Sequence, residues 1–554
     1  MPQTHPGNLP TPIKLAPLTN LLRYYFDKKF VLEGLSNGFS LGFVGPQSQV
    51  FSHNSPTVSD FPHIAKDKVD SEIRLGRIAG PFNSPPFNDF KCSPLALREK
   101  STPGKFRLLH NLSYPYNQDS VNLNIPNDKA KVSYSSIEDA ISFIVDSPGC
   151  FLAKSDIAEA YRLLPLHPSC YNLTGFSLEG KFFFDKCLPM GARSACQIFE
   201  RFSNALIYIL NHHFSITKVV KVLDDFLFIG DNELECSHAL NTFIALCDVL
   251  GIPLAEGKTV PPTQCLSFLG ILLDSKNMLA SIPQDKILRY AASLAEACQS
   301  GHLTLRDLQS LIGKLNFVCY IIPAGRCFLR RLHDATRGPS VPGRKIVLSP
   351  EMLEDLGLWN KFLHQFNAKR ILARRESFSS QDLNICTDSS KLGFGGTFQN
   401  RFIIGTFPPA WQLLDIQVLE FYPVLCLVAI HAPFLRGKSV YIRSDNSSVV
   451  AALNSLTSRN KNLMCLLRYL VCICLSNDII IRASHVPGSL NTICDALSRQ
   501  QIPAAALRNC GIDPSPLHIP AWLRPQNLRI QQAQSSLPPI PLTQSSPTVG
   551  GAST

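Results

Sequence analysis

Val219-Val220-Lys221-Val222-Leu223-Asp224-Asp225-Phe226-Leu227-Phe228-Ile229-Gly230 decides the reading of this chain, because two adjacent carboxylates stand in a run that is otherwise almost wholly apolar. β-Branched and aromatic residues on both flanks predict a β-hairpin with the acidic pair at its turn. Two like charges side by side in apolar surroundings are costly unless a cation neutralises them, so the pair fits a divalent-metal site. Taken alone, the same residues also fit a solvated Asp-Asp turn, since turn aspartates are common.

Upstream, Phe151-Leu152-Ala153-Lys154-Ser155-Asp156-Ile157-Ala158-Glu159-Ala160-Tyr161 places another carboxylate, Asp156, at the end of a short apolar strand, with an aromatic ring five residues later. A two-metal phosphoryl-transfer centre needs such a second supplier of ligands, because two cations bridge the attacking hydroxyl, the α-phosphate and the leaving pyrophosphate. Between the two acidic strands, Cys187-Leu188-Pro189-Met190-Gly191-Ala192-Arg193-Ser194-Ala195 forms a Pro/Gly-punctuated turn leading into the amphipathic stretch Cys196 to Leu210. Each segment is weak alone; their order and spacing together make the signal.

This arrangement resembles the reverse transcriptases. Asp156 matches the first palm aspartate, Asp224 and Asp225 the palm hairpin pair, and Leu188-Pro189-Met190-Gly191 the turn under the templating base and incoming nucleotide. Gly251-Ile252-Pro253 with Lys258 is similar to the next palm motif, and Phe268-Leu269-Gly270 to the primer-gripping hairpin. Ser93 to Lys100 and Gly104 to Ser113 resemble the fingers, where the matching Lys100 and Arg107 would hold the triphosphate by charge-assisted contacts. Tyr161 matches the steric gate that leaves no room for a 2′-hydroxyl; read from the residue alone it is equally a half-buried core tyrosine. The resemblance implies that Asp156 and Asp224 hold two Mg²⁺ ions, with Ile157 through its carbonyl and Asp225 as further ligands and Mn²⁺ as a substitute. It also implies that Lys258 protonates the leaving group. Three departures stand out: Val222-Leu223 where Tyr-x is usual, Asn111 for a fingers carboxylate, and Met190 for a polar side chain.

A second acidic set follows. Leu383 to Ser390 reads as a strand ending on Asp388, Leu392 to Phe398 as a Gly-rich strand, Glu420 opens an apolar-periodic helix, and Ser439 to Asn446 repeats the strand-then-aspartate pattern at Asp445. His485-Val486-Pro487-Gly488 then leads through Asn491 to Asp495. This order resembles ribonuclease H, and the resemblance assigns Asp388, Glu420, Asp445 and Asp495 to two Mg²⁺ ions and His485 to product release or proton movement. Polymerase followed by nuclease in one chain points away from telomerase-like and group II intron enzymes. Asn37 to Phe43, Leu75 to Phe82 and Phe106 to Pro115 are most similar to DIRS-type and Ngaro-type tyrosine-recombinase retrotransposons, over about residues 30 to 500. The implied partners are an RNA template, a DNA primer, an RNA/DNA hybrid and deoxynucleoside triphosphates.

The expected fold is therefore an α+β palm-fingers-thumb polymerase, a right-hand fold, followed by an α/β ribonuclease H-like domain with a mixed five-stranded sheet. The expected divisions are a disordered Pro-rich terminus (1–30), a lead-in without assigned role (31–88), fingers and palm (89–275) and a helical thumb (276–337). A linker and short connection (338–380), the nuclease (381–500) and a disordered Pro/Ser/Gln-rich tail (501–554) complete the series. In the thumb, Leu305, Leu308, Leu311, Ile312, Leu315 and Val318 recur at helical spacing, and the basic end Arg326, Arg330 and Arg331 fits either a template-primer contact or a solvated face. Only about nine residues separate the helix with Val449 to Leu453 from that of Leu463 to Leu475, too few for an inserted basic helix. The nuclease is thus expected to bind substrate poorly when isolated and to depend on the tethered polymerase, which raises its effective concentration.

Composition agrees with this picture. With 554 residues and a net charge of +11, the chain is long enough for several domains and favours a polyanionic partner. Eighteen cysteines are scattered through apolar segments without CxxC pairs, which fits reduced thiols in a cytoplasmic or nuclear, non-secreted protein and argues against zinc. The longest apolar stretch, Leu463 to Leu475, is broken by Arg468, so no membrane partner is expected. Two other readings compete: an inactive or domesticated copy that only binds nucleic acid, and a structural protein that packages RNA. Clustered carboxylates argue against the first and the lack of basic tracts or zinc knuckles against the second. Oligomeric state has no signature in the sequence.

Overall fold

Helices open the chain, α1 (Leu15–Leu21) and α2 (Lys28–Asn37), and their Leu18, Leu22, Val31 and Leu35 are buried. The computed structural model describes residues 9–99, 104–365, 369–372, 376–379, 381–487, 491–528 and 530. Two compact units are present, Met1–Met278 and Leu279–Thr554. The expectation of disorder through residue 30 is corrected from residue 9 onward. Lys14 N–H donates to the Leu250 carbonyl at 2.8 Å, and Arg201 grips Asp27 through two bonds of 2.8 and 2.5 Å while lying 3.3 Å from the Phe30 ring centroid. Proline content disguised a segment whose Ile13, Leu18, Leu22 and Tyr25 reach the core.

Further along the first unit, β1 (Leu95–Glu99) and β2 (Phe106–His110) form an antiparallel ribbon with Arg98 opposite Arg107. Next come β3 (Phe151–Asp156), α3 (Ala195–Phe214), β4 (Val219–Val222), β5 (Asp225–Gly230), α4 (Glu233–Leu250) and β6 (Val260–Thr263). The four strands make one antiparallel sheet in the order β6-β3-β5-β4. Phe226 and Phe228 pack on Phe243 of α4, with centroids 4.6 and 5.2 Å apart, and Phe199 and Phe202 of α3 are buried in the same core. Burial of these large rings is worth roughly 1.5–3 kcal/mol each, and it holds both helices against the sheet. A short hairpin, β7 (Cys265–Phe268) and β8 (Ile271–Asp274), follows.

The second unit begins with α5 (Gln284–Ser300), α6 (Leu305–Val318), α7 (Arg330–Ala335) and α8 (Pro350–Gln365). All six apolar positions predicted for α6 are buried. Among the strands that follow are β9 (Ser377–Ser379), β10 (Cys386–Ser389), β11 (Gly393–Phe398), β12 (Arg401–Thr406), β13 (Ser439–Ser444) and β14 (Ile480–His485). Between and after them lie α9 (Ile416–Ile430), α10 (Ser447–Ser455), α11 (Lys461–Asn477), α12 (Thr492–Ser498) and α13 (Ala504–Asn509). The single five-stranded sheet is corrected: β10-β11-β12 form one antiparallel sheet and β9-β13-β14 a parallel one. The unforeseen β9 pairs in parallel with β13 at Ser439 to Tyr441, and no ladder joins β10 to β13 among the described residues.

The tail is corrected through residue 528, and residues 531–554 lie outside the described residues. Leu507, Ile512 and Leu523 are buried, Tyr422 Oη donates to the Leu523 carbonyl at 3.0 Å, and Leu517 N–H to the Phe402 carbonyl at 2.7 Å. Residues 501–528 thus pack with the strands and helices that precede them. Five residues, 456–460, separate α10 from α11, so the interval has no basic helix.

The expected linker and connection, 338–380, contains α8, which is bonded to the helices before and after it. Buried Asp355 of α8 accepts from Arg468 of α11 at 3.0 Å and from Arg331 after α7 begins at 3.1 Å. Arg331 also donates to the Glu351 carbonyl and Arg330 pairs with Asp334, so most of the basic thumb end is bound internally. Removing one partner of a buried pair leaves the other charge desolvated. Asp355→Ala is therefore expected to destabilise this unit by about 3–5 kcal/mol, whereas Arg331→Ala, at a side chain 35% exposed, should lose about 1 kcal/mol or less. Urea unfolding of both variants checks the order.

Candidate active sites

The β4–β5 hairpin turns through only two residues, Leu223 and Asp224, so that Asp225 opens β5 opposite Val222. The acidic pair is thus split, with Asp224 in the turn and Asp225 in the ladder. Leu223 adopts a left-handed φ of 55°, a strain on the order of 1 kcal/mol for a branched side chain. On the other side of β5, Asp225 is the register partner of Asp156. Ile157 N–H donates to the Asp224 carbonyl at 3.0 Å, and since N–H and C=O of an extended residue share one edge, the Ile157 carbonyl is turned toward the hairpin as well.

Electrostatics in this corner are unbalanced. Burial raises the carboxyl of Asp224 above its ordinary value, with Asp156 adding to it and Lys258 and Arg107 opposing. Asp225 is raised by burial too, against the pull of Lys154. Lys258 Nζ sits 2.8 Å from Asp156 Oδ2, and this bond raises the lysine so that it keeps its proton.

The remaining positions matched to reverse transcriptases have the following surroundings. Tyr161 is half-buried, its ring edge-on to Phe199 at 5.6 Å and its hydroxyl 3.2 Å from Cys196 Sγ. Burial, Cys196 and the charges of Tyr134 and Asp224 all raise its phenol. Met190 is half-exposed, and a Cβ at Gly191 would lie 1.8 Å from the His110 carbonyl, so only glycine fits. Arg107 is exposed on β2; Lys100 lies outside the described residues. Phe268 is buried, and Leu269 and Gly270 make the two-residue β7–β8 turn with φ of 47° and 81°. Lys154 Nζ donates to the Ser267 carbonyl at 3.0 Å, tying that hairpin to the strand of Asp156.

Several supporting residues escaped the sequence reading. His110 Nδ1 and Arg162 both bond Asp185, at 3.0 and 2.7 Å, and although burial opposes it, they hold its carboxyl low. This joins the ribbon of Arg107 to the segment following Tyr161. Lys221 of β4 and Glu200 of α3 form a buried pair at 2.6 Å, anchoring the hairpin to the helix behind it. Both are charged residues in apolar periodic runs, a signal visible in sequence but without an indicated partner.

In the second unit, Asp388 of β10, Glu420 of α9 and Asp445 after β13 bring one carboxylate oxygen each within 4.8 Å of the others. Asp445 Oδ1 is buried with no hydrogen-bond partner. Burial, together with Asp388 and Asp445, pushes Glu420 up to about 9. Clustered, desolvated carboxylate oxygens with no ion pair among the described residues are the donor set a hard divalent ion takes. Asp495 does not join them: Arg499, one turn along, holds it at 2.8 Å. Ser498 Oγ instead bridges the region, 2.5 Å from Asp388 Oδ2 and 2.9 Å from the Asp495 carbonyl. His485, opposite Ser444 in the ladder, places Nε2 3.0 Å from the Asp445 carbonyl. Ser498 and Arg499 follow Asp495 at helical spacing, which could have flagged them.

Comparison with known proteins bears on the segment that contains the first site. Residues 100–273 match the family model described as reverse transcriptase (RNA-dependent DNA polymerase). The Gag-Pro-Pol polyprotein of Mason-Pfizer monkey virus is 23% identical over 314 residues, covering 54% of this chain and 16% of the polyprotein. That of human T-cell leukemia virus 2 is 22% identical over 318 residues, covering 54% and 20%. The chain thus spans at most a fifth of the length of these relatives. Among solved structures, foamy viral protease-reverse transcriptase in complex with double-stranded DNA superposes with a TM-score of 0.48 at 14% identity, covering 80% of this chain and 72% of the other. The same protein with an RNA/DNA hybrid gives 0.47 at 14%, covering 80% and 56%. The chain carries a reverse transcriptase domain of the kind found in retroviral and retroelement polyproteins.

Glu420 supplies a test of the second site. Between its ordinary value of 4.5 and about 9 the folded chain holds a proton that the unfolded chain has lost. Without metal, stability should therefore fall as pH rises through that window and level off above it. Glu420→Gln removes this slope and is expected to raise the melting temperature in EDTA at pH 8, while losing the stabilisation that added Mg²⁺ gives the wild type. Thermal melts at pH 5 to 9, with and without metal, check both outcomes.

Proposed function

We propose that this chain is an RNA-directed DNA polymerase with a tethered ribonuclease H, copying a retrotransposon RNA into DNA. The observation that carries the reading is the register of Asp156 against Asp225, with Asp224 at the adjoining turn, inside a segment that matches the reverse transcriptase family. The Asn37 to Phe43 and Leu75 to Phe82 motifs favour the DIRS-type and Ngaro-type elements within that class. Its substrates would be an RNA template, a DNA primer and deoxynucleoside triphosphates, and, for the nuclease, an RNA/DNA hybrid. Eighteen cysteines scattered without CxxC pairs fit work in the cytoplasm or nucleus.

In the polymerase, Asp156, Asp224, Asp225 and the Ile157 carbonyl would hold two Mg²⁺ ions, with Mn²⁺ as a substitute. When bound, these ions acidify the primer 3′-hydroxyl and stabilise the departing pyrophosphate. Lys100 and Arg107 grip the triphosphate, and Tyr161, held by Phe199 and Cys196, excludes a 2′-hydroxyl. Gly191 lets the backbone close under the nucleotide beside Met190. Lys258 keeps a proton at Nζ, ready for the leaving group once Asp156 turns to metal. Phe268-Leu269-Gly270 steadies the primer end.

In the nuclease, Asp388, Glu420 and Asp445 would hold the hydrolytic ions, with Asp495 joining after release from Arg499. Ser498 orients Asp388, and His485 moves a proton beside Asp445 or assists product release. Cleavage removes the copied RNA so that a second DNA strand can follow.

Primer extension on an RNA template with Mg²⁺ tests the first activity. Asp224→Asn is expected to lower it by several orders of magnitude while leaving hybrid cleavage intact, and Asp445→Asn to do the reverse. Undiminished extension by Asp224→Asn would refute the palm assignment.

A further inference from the structure

The turn between α1 and α2 reads Arg23-Tyr24-Tyr25-Phe26-Asp27-Lys28-Lys29, and two of its rings face solvent: Phe26 is 91% exposed and Tyr24 72%. They are not loose. Tyr25 is buried beneath them, 4.9 Å from the Phe26 centroid and 4.9 Å from Tyr208 of α3. Tyr208 stacks on His212 at 5.0 Å and 15°, His212 meets His213 at 5.0 Å, and exposed Phe214 ends the helix. The His213 ring is pinned 2.8 Å from the Leu21 carbonyl. Rings therefore run continuously from Phe26 to His213, seated on the core by Tyr25.

Charge selects the occupant. Arg23 lies over the Tyr24 ring at 5.5 Å, and Lys28 and Lys29 are exposed on the next turn. Of the neighbouring carboxylates, Asp27 is engaged by Arg201 and Glu33 lies 3.9 Å from Lys29. The surface is thus aromatic and cationic together. Exposed rings that stack bases, with cations along their flank that meet phosphates, are what an unpaired strand requires and a duplex cannot use.

Position adds a reason. Helix α3 has 20 residues, so it is about 30 Å long. The Pro189-Met190-Gly191 turn leads into its N-terminal end and the ring row lies at its C-terminal end. We infer that this row and its cations form a second binding surface, for single-stranded nucleic acid, which holds template outside the nucleotide site. For its role this rests on the proposed polymerase reading, but binding can be read without synthesis.

The test is fluorescence anisotropy of labelled oligo(U) RNA with the full chain. Tyr24→Ala/Phe26→Ala is expected to weaken single-strand binding about ten-fold or more, and Lys28→Glu/Lys29→Glu to weaken it with a shallower salt dependence. For the aromatic variant, affinity for duplex RNA, the melting temperature and extension of a saturating short template-primer should not change. Unaltered oligo(U) affinity would overturn the inference. So would an equal loss on duplex RNA, or a shift from dimer to monomer in sedimentation with RNA binding intact, which would make the patch a contact between copies. Repeating the anisotropy in an Asp224→Asn chain separates the two readings, since loss on the aromatic variant there stands whether or not the wild type polymerises.

Discussion

The antiparallel ladder between Phe151–Asp156 and Asp225–Gly230 is the constraint on which the first unit rests, because it fixes Asp156 opposite Asp225 to the residue. A slip of one position would send every side chain of one strand to the other face, burying acids and exposing phenylalanines. The apolar pairs along the ladder therefore hold the charges in place. Phe226 and Phe228 anchor on Phe243, Lys221 locks to Glu200, and only the strand ends are left to carry carboxylates. Strain at Leu223 is small beside that burial, and it lets the chain reverse within two residues so that Asp224 projects past the sheet.

Contrast between two buried acidic centres in the second unit separates structure from chemistry. Asp355 is desolvated, and burial pushes it up to about 6, yet two guanidiniums of the same chain stand against it. Its charge is matched internally, and the result is a joint between helices. Asp388, Glu420 and Asp445 have no such cation among the described residues, and Asp445 keeps an oxygen without a partner. A cluster so arranged costs the fold stability as Glu420 ionises, which sets it apart from the matched charges at Asp355.

Between these extremes lie Lys258 with Asp156 and Arg499 with Asp495. Both are ion pairs with a half-exposed partner, so both can open at little cost when a stronger cation competes. The two centres share a design in which a side-chain cation covers one carboxylate and leaves the others in need.

Local pattern made much of this legible. Alternating apolar residues around Asp224 and Asp225, the strand ending on Asp156, and helical spacing from Leu305 to Val318 each act within a few residues, and each formed the element expected. Proline and glutamine content misled at both ends, because composition reports average polarity whereas Leu18, Leu22, Leu507 and Leu523 are single side chains that found the core. Residue types, order and strand ends were thus determined by sequence alone, since backbone periodicity is a local property. Tertiary structure alone decided that β9 would claim the edge of β13 and that Asp495 would stand off with Arg499. It likewise joined Asp355 to Arg468, 113 residues away. Those outcomes depend on which distant partner wins a shared edge or a shared charge, and that competition is settled only when the chain is packed.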